Sequence, residues 1–135
     1  MTTARDTVQG ALELLRVLDI EDGDMQAYQA EKGLKQFNDM MHGFVGAGAD
    51  VGWADLALTD ELPLPREHHE HVRYVLAVRL APGYSALLTP EVAKQAQDSL
   101  KILQAAYRRV GTLRPDRALQ NRLSRYSSGW NIKNG

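Results

Sequence analysis

Leu62-Pro63-Leu64-Pro65-Arg66-Glu67-His68-His69-Glu70-His71-Val72-Arg73-Tyr74-Val75-Leu76-Ala77-Val78-Arg79-Leu80-Ala81-Pro82-Gly83-Tyr84 decides how this chain folds. It reads as a helix over 65–80 that carries its own start and stop signals. Pro65 suits the first helical position, where its missing N–H costs nothing, and Pro82-Gly83 ends the run. Val72, Val75, Leu76 and Leu80 recur at helical spacing and form the face to be buried. Five residues past Tyr84, Thr89-Pro90-Glu91 opens another helix in the same way, with Thr89 as N-cap and Glu91 in the first turn. That helix is predicted over 90–110, with Val92, Ala96, Leu100, Leu103, Tyr107 and Val110 in line and Gly111 as its stop. The phrase therefore predicts two helices joined by a short, defined turn.

Working outward, Val8, Leu12, Leu15 and Leu18, with Ala11 beside them, predict an amphipathic helix over 3–18. The acidic turn 19–24 follows, and its Asp24 is placed to cap a helix over 25–44. Ala27, Ala30, Leu34, Phe37, Met41 and Phe44 share one face of that helix, and the internal Gly33 costs it about 1 kcal/mol against alanine. Residues 45–61 break the pattern. Gly46, Gly48, Asp50 and Gly52 forbid a regular helix, while Val45, Val51, Trp53, Leu56 and Leu58 are too apolar for a free linker. A structured loop or a short β-hairpin is expected there. Beyond Gly111 the periodicity thins: Leu119, Leu123 and Tyr126 suffice for one or two helical turns, and 127–135 carries no helix signal. The simplest architecture is all-α: a four-helix bundle with an irregular or hairpin loop at 45–61 and an extended C-terminal arm. The division is a helical domain over 1–111 and a basic arm over 112–135.

A chain of 135 residues buries roughly two thirds of its unfolded surface, enough for one core. It has no run of about 18 apolar residues, no apolar leader and no cysteine, so membrane crossing, secretion and thiol or disulfide chemistry are not expected. The expected setting is soluble and intracellular, or a part of something assembled inside a cell. The net charge of −1 conceals two unlike parts. Residues 1–107 carry 9 Lys/Arg against 16 Asp/Glu (−7), whereas 108–135 carry 7 Lys/Arg against the single acid Asp116 (+6). An acidic body bears a basic tail. Such tails are often interaction segments, the alternative being a solvated, disordered terminus.

No catalytic constellation emerges. In Glu67-His68-His69-Glu70-His71, His68 and His71 stand three apart and share a helix face, but zinc sites usually take three or four ligands. The two-histidine helical motif of metalloproteases needs four-residue spacing, and the only other histidine is His42. Solvated first-turn histidines are the expected reading. Asp55, Asp60 and Glu61 offer carboxylates without a substrate pocket, and Gly46-Ala47-Gly48 lacks the third glycine of a phosphate-binding loop. No enzyme activity, cofactor or metal is expected. A basic, aromatic surface is spelled by Arg108, Arg109, Arg114, Arg117, Arg122 and Arg125 with Tyr107, Tyr126 and Trp130. The acidic body would repel a duplex, and arginine and aromatic side chains are also those enriched in protein interfaces. Docking on another protein is the first reading; a small helical DNA-binding protein for packaging or regulation is the alternative.

In order and spacing, several phrases resemble the tail accessory factor, or packaged-DNA-stabilisation, family of short-tailed bacteriophages. They are Leu14-Leu15-Arg16-Val17-Leu18, Gly33-Leu34-Lys35-Gln36-Phe37-Asn38-Asp39-Met40-Met41, Leu62-Pro63-Leu64-Pro65, Leu76-Ala77-Val78-Arg79-Leu80-Ala81-Pro82-Gly83-Tyr84, Thr89-Pro90-Glu91 and the closing Trp130-Asn131-Ile132-Lys133-Asn134-Gly135. The similarity covers most of the chain. It departs in the middle, where a tryptophan commonly closes the family's second helix; here Phe44 stands at that place and Trp53 comes nine residues later. The resemblance implies a head-to-tail adaptor, assembled in the host cytoplasm and resident in the virion as a twelve-fold ring on the portal protein. Such a ring extends the DNA channel, helps retain packaged double-stranded DNA without reading its sequence, and offers a platform to later tail proteins. The resemblance also implies that the arm reaches into the portal, with Arg122, Leu123, Arg125, Tyr126, Trp130, Asn131 and Ile132 as its contacts.

Overall fold

A computed structural model describes residues 1–19, 21 and 23–108. Among them are four α-helices, one 3-10 turn and no β-strand: α1 (Ala4–Leu14), α2 (Ala27–Gly43), α3 (Arg66–Leu80), the 3-10 turn (Ala81–Tyr84) and α4 (Pro90–Ala106). The all-helical expectation is met, and no helix here is long and apolar enough to cross a membrane. The expected arm, 112–135, lies outside the described residues.

The centre of the fold is α3, which packs against α1, α2 and α4. Val72, Leu76, Ala77 and Leu80 are fully buried and Val75 almost so. Each large apolar side chain buried this way contributes about 1.5–3 kcal/mol. Leu62 and Leu64 are buried while Pro63 and Pro65 are exposed, so the lead-in runs extended with leucines inward. Pro65 is the N-cap rather than the first helical residue, one position earlier than expected. At the other end Pro82 has no N–H to continue the ladder. Instead of stopping there, the chain tightens into the 3-10 turn that contains Pro82 and Gly83, and it reverses at Ser85, whose φ is +51°. The Thr89 cap is as expected, its hydroxyl accepting from Val92 N at 3.4 Å; α4 ends at Ala106, short of the expected 110.

The first helix is shorter than its periodicity suggests. It stops at Leu14 because Arg16 adopts a left-handed conformation (φ +56°), with Arg16 N donating to Glu13 O and Val17 N to Leu12 O. That pair of bonds is a Schellman stop, usually announced by glycine. With arginine in the position nothing in the sequence marks the end, although Val17 and Leu18 still pack on the core. Likewise α2 starts at Ala27, not 25. Gln29 Oε1 accepts from Gln26 N at 3.2 Å, and the expected cap Asp24 instead accepts from Arg5 Nη2 at 3.3 Å, an exposed pair of little energetic weight. Ala27 is exposed; Ala30, Phe37, Met40, Met41 and Phe44 are buried.

Residues 45–61 form an irregular loop, not a hairpin, and the loop is tied at both ends. Asn38 of α2 holds its middle: Oδ1 accepts from Trp53 Nε1 and Leu56 N, and Nδ2 donates to Leu56 O, all at 3.1 Å. The Trp53 ring meets Phe37 edge-on at 5.3 Å. The loop's end then runs beside the N-terminus. Ala4 N donates to Asp60 O (2.9 Å) and Arg5 N to Leu58 O (3.1 Å), while Thr3 Oγ1 accepts from Asp6 N (3.2 Å). The first-turn N–H groups of α1, which no helix can satisfy internally, are thus used by loop carbonyls and a capping box.

Gly33 gains its meaning from this packing. A Cβ there would lie 2.4 Å from Cγ1 of Val8, a fully buried, β-branched side chain. The missing methyl is what lets α1 and α2 approach. Gly33→Ala should therefore lower stability by about 1–3 kcal/mol through overpacking, despite gaining helix propensity. Thermal unfolding measures this, and Val8→Ala in the same chain should recover part of the loss; a rise in Tm for Gly33→Ala alone would refute the close approach. Asn38→Ala should cost about 2–3 kcal/mol by orphaning the Trp53 and Leu56 groups, with amide hydrogen exchange accelerated over 51–58.

Candidate docking surface

Every residue the resemblance assigns to the portal contact (Arg122, Leu123, Arg125, Tyr126, Trp130, Asn131 and Ile132) lies outside the described residues. The described residues nearest to them in sequence are those where α4 ends. Two bonds fasten that end to the glycine-rich start of the 45–61 loop: Gln104 Nε2 donates to Ala47 O (2.8 Å), and Asp50 N donates to Tyr107 O (3.0 Å). Gly48 turns the loop at φ +91°. Between them opens a groove of about 540 Å³ lined by Ala47, Gly48, Lys101, Gln104, Ala105 and Arg108.

Tyr107 is the C-cap of α4. Its ring stands edge-on to His68, centroids 5.2 Å apart, and its hydroxyl is buried with no hydrogen-bond partner among the described residues. Burial, and secondarily the Glu67 carboxylate, push its phenol above the usual tyrosine range. The histidines beside it are not solvated as expected: His68, His69 and His71 are all partly buried. His69 Nε2 donates to Leu64 O at 2.8 Å, fastening the extended lead-in to the first turn of α3. His71 Nδ1 and Ser99 Oγ are 3.1 Å apart, joining α3 to α4 through a serine that is fully buried. The reasons lie outside α3: His68 meets Tyr107 and His71 meets Ser99, whereas His69 bonds the lead-in and lines a cavity with Thr2, Asp6, Thr7 and Arg73; a reading of α3 alone places all three at an open helix start. His68 and His71 do share a face, their rings 6.4 Å apart. Among the described residues no three His, Asp or Glu side chains gather to hold a metal ion.

The carboxylates near the loop serve local structure. Asp55 Oδ1 lies 2.7 Å from His42 Nε2, and Asp60 Oδ2 accepts from Ala57 N at 2.8 Å. Glu61 contributes through its backbone, in an isolated antiparallel bridge with Thr3. Sequence reasoning missed Asn38 and Ser99. Each is a polar residue amid an apolar helical pattern, and that interruption was the available signal. No protein-family model matches the chain, and no curated protein matches it significantly.

Tyr107 and a second tyrosine, Tyr84 at the far end of α3, give the fold a dependence on alkaline pH. Tyr84, whose hydroxyl donates to Gln29 O at 3.2 Å, is also held above the ordinary range, by burial first and then by Tyr28. For both phenols the folded value exceeds the unfolded one. Their stabilisation is therefore complete below pH about 10 and lost as pH rises through the elevated folded values. Chemical denaturation across that range should show a smaller alkaline loss for both Tyr84→Phe and Tyr107→Phe. At neutral pH Tyr84→Phe should cost about 1 kcal/mol for its lost bond, whereas Tyr107→Phe, which removes an unpartnered hydroxyl, should cost nothing.

Proposed function

We propose that this chain is a structural adaptor of the head-to-tail junction of a short-tailed bacteriophage. In this reading a four-helix bundle over 1–111 assembles as a twelve-fold ring on the portal, and the arm over 112–135 grips that portal protein. The ring extends the DNA channel, retains packaged DNA and receives later tail proteins below. The observation that carries it is the division of charge: −7 over residues 1–107 against +6 over 108–135, where the cations are interleaved with Tyr126 and Trp130. A wall that does not attract phosphate lets a duplex slide, and a cationic, aromatic segment has the composition of a protein-interface anchor. The order of the helical phrases through the chain supports the same reading.

Portal docking is assigned to Arg122, Leu123, Arg125, Tyr126, Trp130, Asn131 and Ile132, the aromatic and aliphatic side chains filling crevices and the arginines meeting acidic rims. Mixed with purified portal, the chain should form rings visible by electron microscopy. Tyr126→Ala with Trp130→Ala should weaken that binding at least about tenfold, as expected for anchors worth about 2 kcal/mol or more. Undiminished portal binding by this variant would remove the arm assignment. An electrophoretic shift of duplex DNA that fades steeply with salt would favour the DNA-binding alternative instead.

A further inference from the structure

Among the described lysines and arginines Arg73 alone is partly buried, and it has no hydrogen bond or carboxylate partner among the described residues. A Cβ at the buried Gly10 of α1 would lie 2.6 Å from Arg73 Cδ, so the absent methyl is what admits the arginine stem between α1 and α3. The residue lines a cavity of about 310 Å³ together with Thr2, Asp6, Thr7 and His69. That volume stands at the lower end of the range for small-molecule sites, and the cavity is more enclosed than the groove beside α4. Its other walls are polar and incompletely paired. Thr7 is 3% exposed; its hydroxyl donates to Thr3 O at 3.2 Å and can still accept. Asp6 accepts from Thr3 N and Thr3 Oγ1 through Oδ2, both at 2.9 Å, and its Oδ1 takes no bond among the described residues. His69 spends Nε2 on Leu64 O, and its Nδ1 is buried without a partner. Arg73 and Asp6 line one cavity yet come no closer than 4 Å, so neither pairs the other.

We propose that this cavity binds a small zwitterion, a free α-amino acid, whose carboxylate meets the Arg73 guanidinium and whose ammonium is received by Asp6 and Thr7. Partial burial of an unpaired guanidinium is costly, and a carboxylate held through two parallel N–H bonds offsets that cost best. Asp6 opposes a bare phosphate, and Arg73 opposes a metal ion; a ligand with one charge of each sign suits both. Lack of a partner does not by itself distinguish Arg73, since exposed cations elsewhere on the chain are equally unpaired. Its burial does, in a cavity that also holds a carboxylate it does not reach. The inference goes beyond the adaptor reading and uses none of the arm residues.

The test titrates the full chain through the millimolar range with L-alanine, L-alaninamide, propionate, N-acetyl-L-alanine and inorganic phosphate, while backbone amide resonances are followed by NMR. L-alanine should shift residues 6–10 and 69–73 along a saturable curve. Alaninamide, which lacks the carboxylate, and propionate, which lacks the ammonium, should each bind at least about tenfold more weakly. Arg73→Met keeps an apolar stem over Gly10 and removes the charge, and it should abolish the L-alanine shifts. Circular dichroism checks that this variant folds. If it does not, Arg73→Lys replaces it: the charge stays, the two-bond fork is lost, and binding should weaken at least about fivefold. The proposal is overturned if L-alanine gives no saturable shift, if alaninamide or propionate binds as well, or if these variants bind undiminished. Stronger binding of N-acetyl-L-alanine would also overturn it, in favour of a polypeptide C-terminus, and stronger binding of phosphate would do so in favour of a bare anion.

Discussion

A helix that buries Val72, Leu76, Ala77 and Leu80 completely must be covered on more than one side, and this constraint on α3 organises the molecule. α1 and α2 supply one part of the cover and α4 another. Covering α3 with α1 and α2 together requires those two helices to meet closely, which the Gly33–Val8 contact permits. An apolar stripe alone fixes how much surface must leave water; the small residue fixes how near the partners can come.

The second requirement is polar. Three packed helices leave their terminal N–H groups in need of partners, and α1 meets it with Asp60 and Leu58 carbonyls from a loop far along the chain. That loop, held in turn by Asn38, is therefore a structural part of the fold in spite of its glycines. Its first residues do a further job at the opposite end, fastening the exit of α4 through Ala47 and Asp50. The end of α4 is thus anchored, and the His71–Ser99 contact ties α4 to α3.

Charge adds a direction to this architecture. The acidic excess belongs to residues 1–107 and the basic excess to residues 108–135. Helix stability does not need that distribution, since solvated cations contribute equally well when scattered.

From the sequence alone one can read four helices, their apolar faces and the Thr89 cap, because periodicity and capping act over a few residues. The stop at Arg16 was illegible, since a left-handed turn that glycine usually marks was filled by arginine and held by bonds back into α1. The burial of His68, His69 and His71, the peg at Asn38 and the purpose of Gly33 were decided by tertiary structure. Each depends on which distant segment comes to lie against it, and the local pattern does not encode that. The charge division was legible at once, being a property of composition. Which cation meets a carboxylate required the folded chain: among the described residues Arg5 reaches Asp24, nineteen positions away, because packing brings the two together.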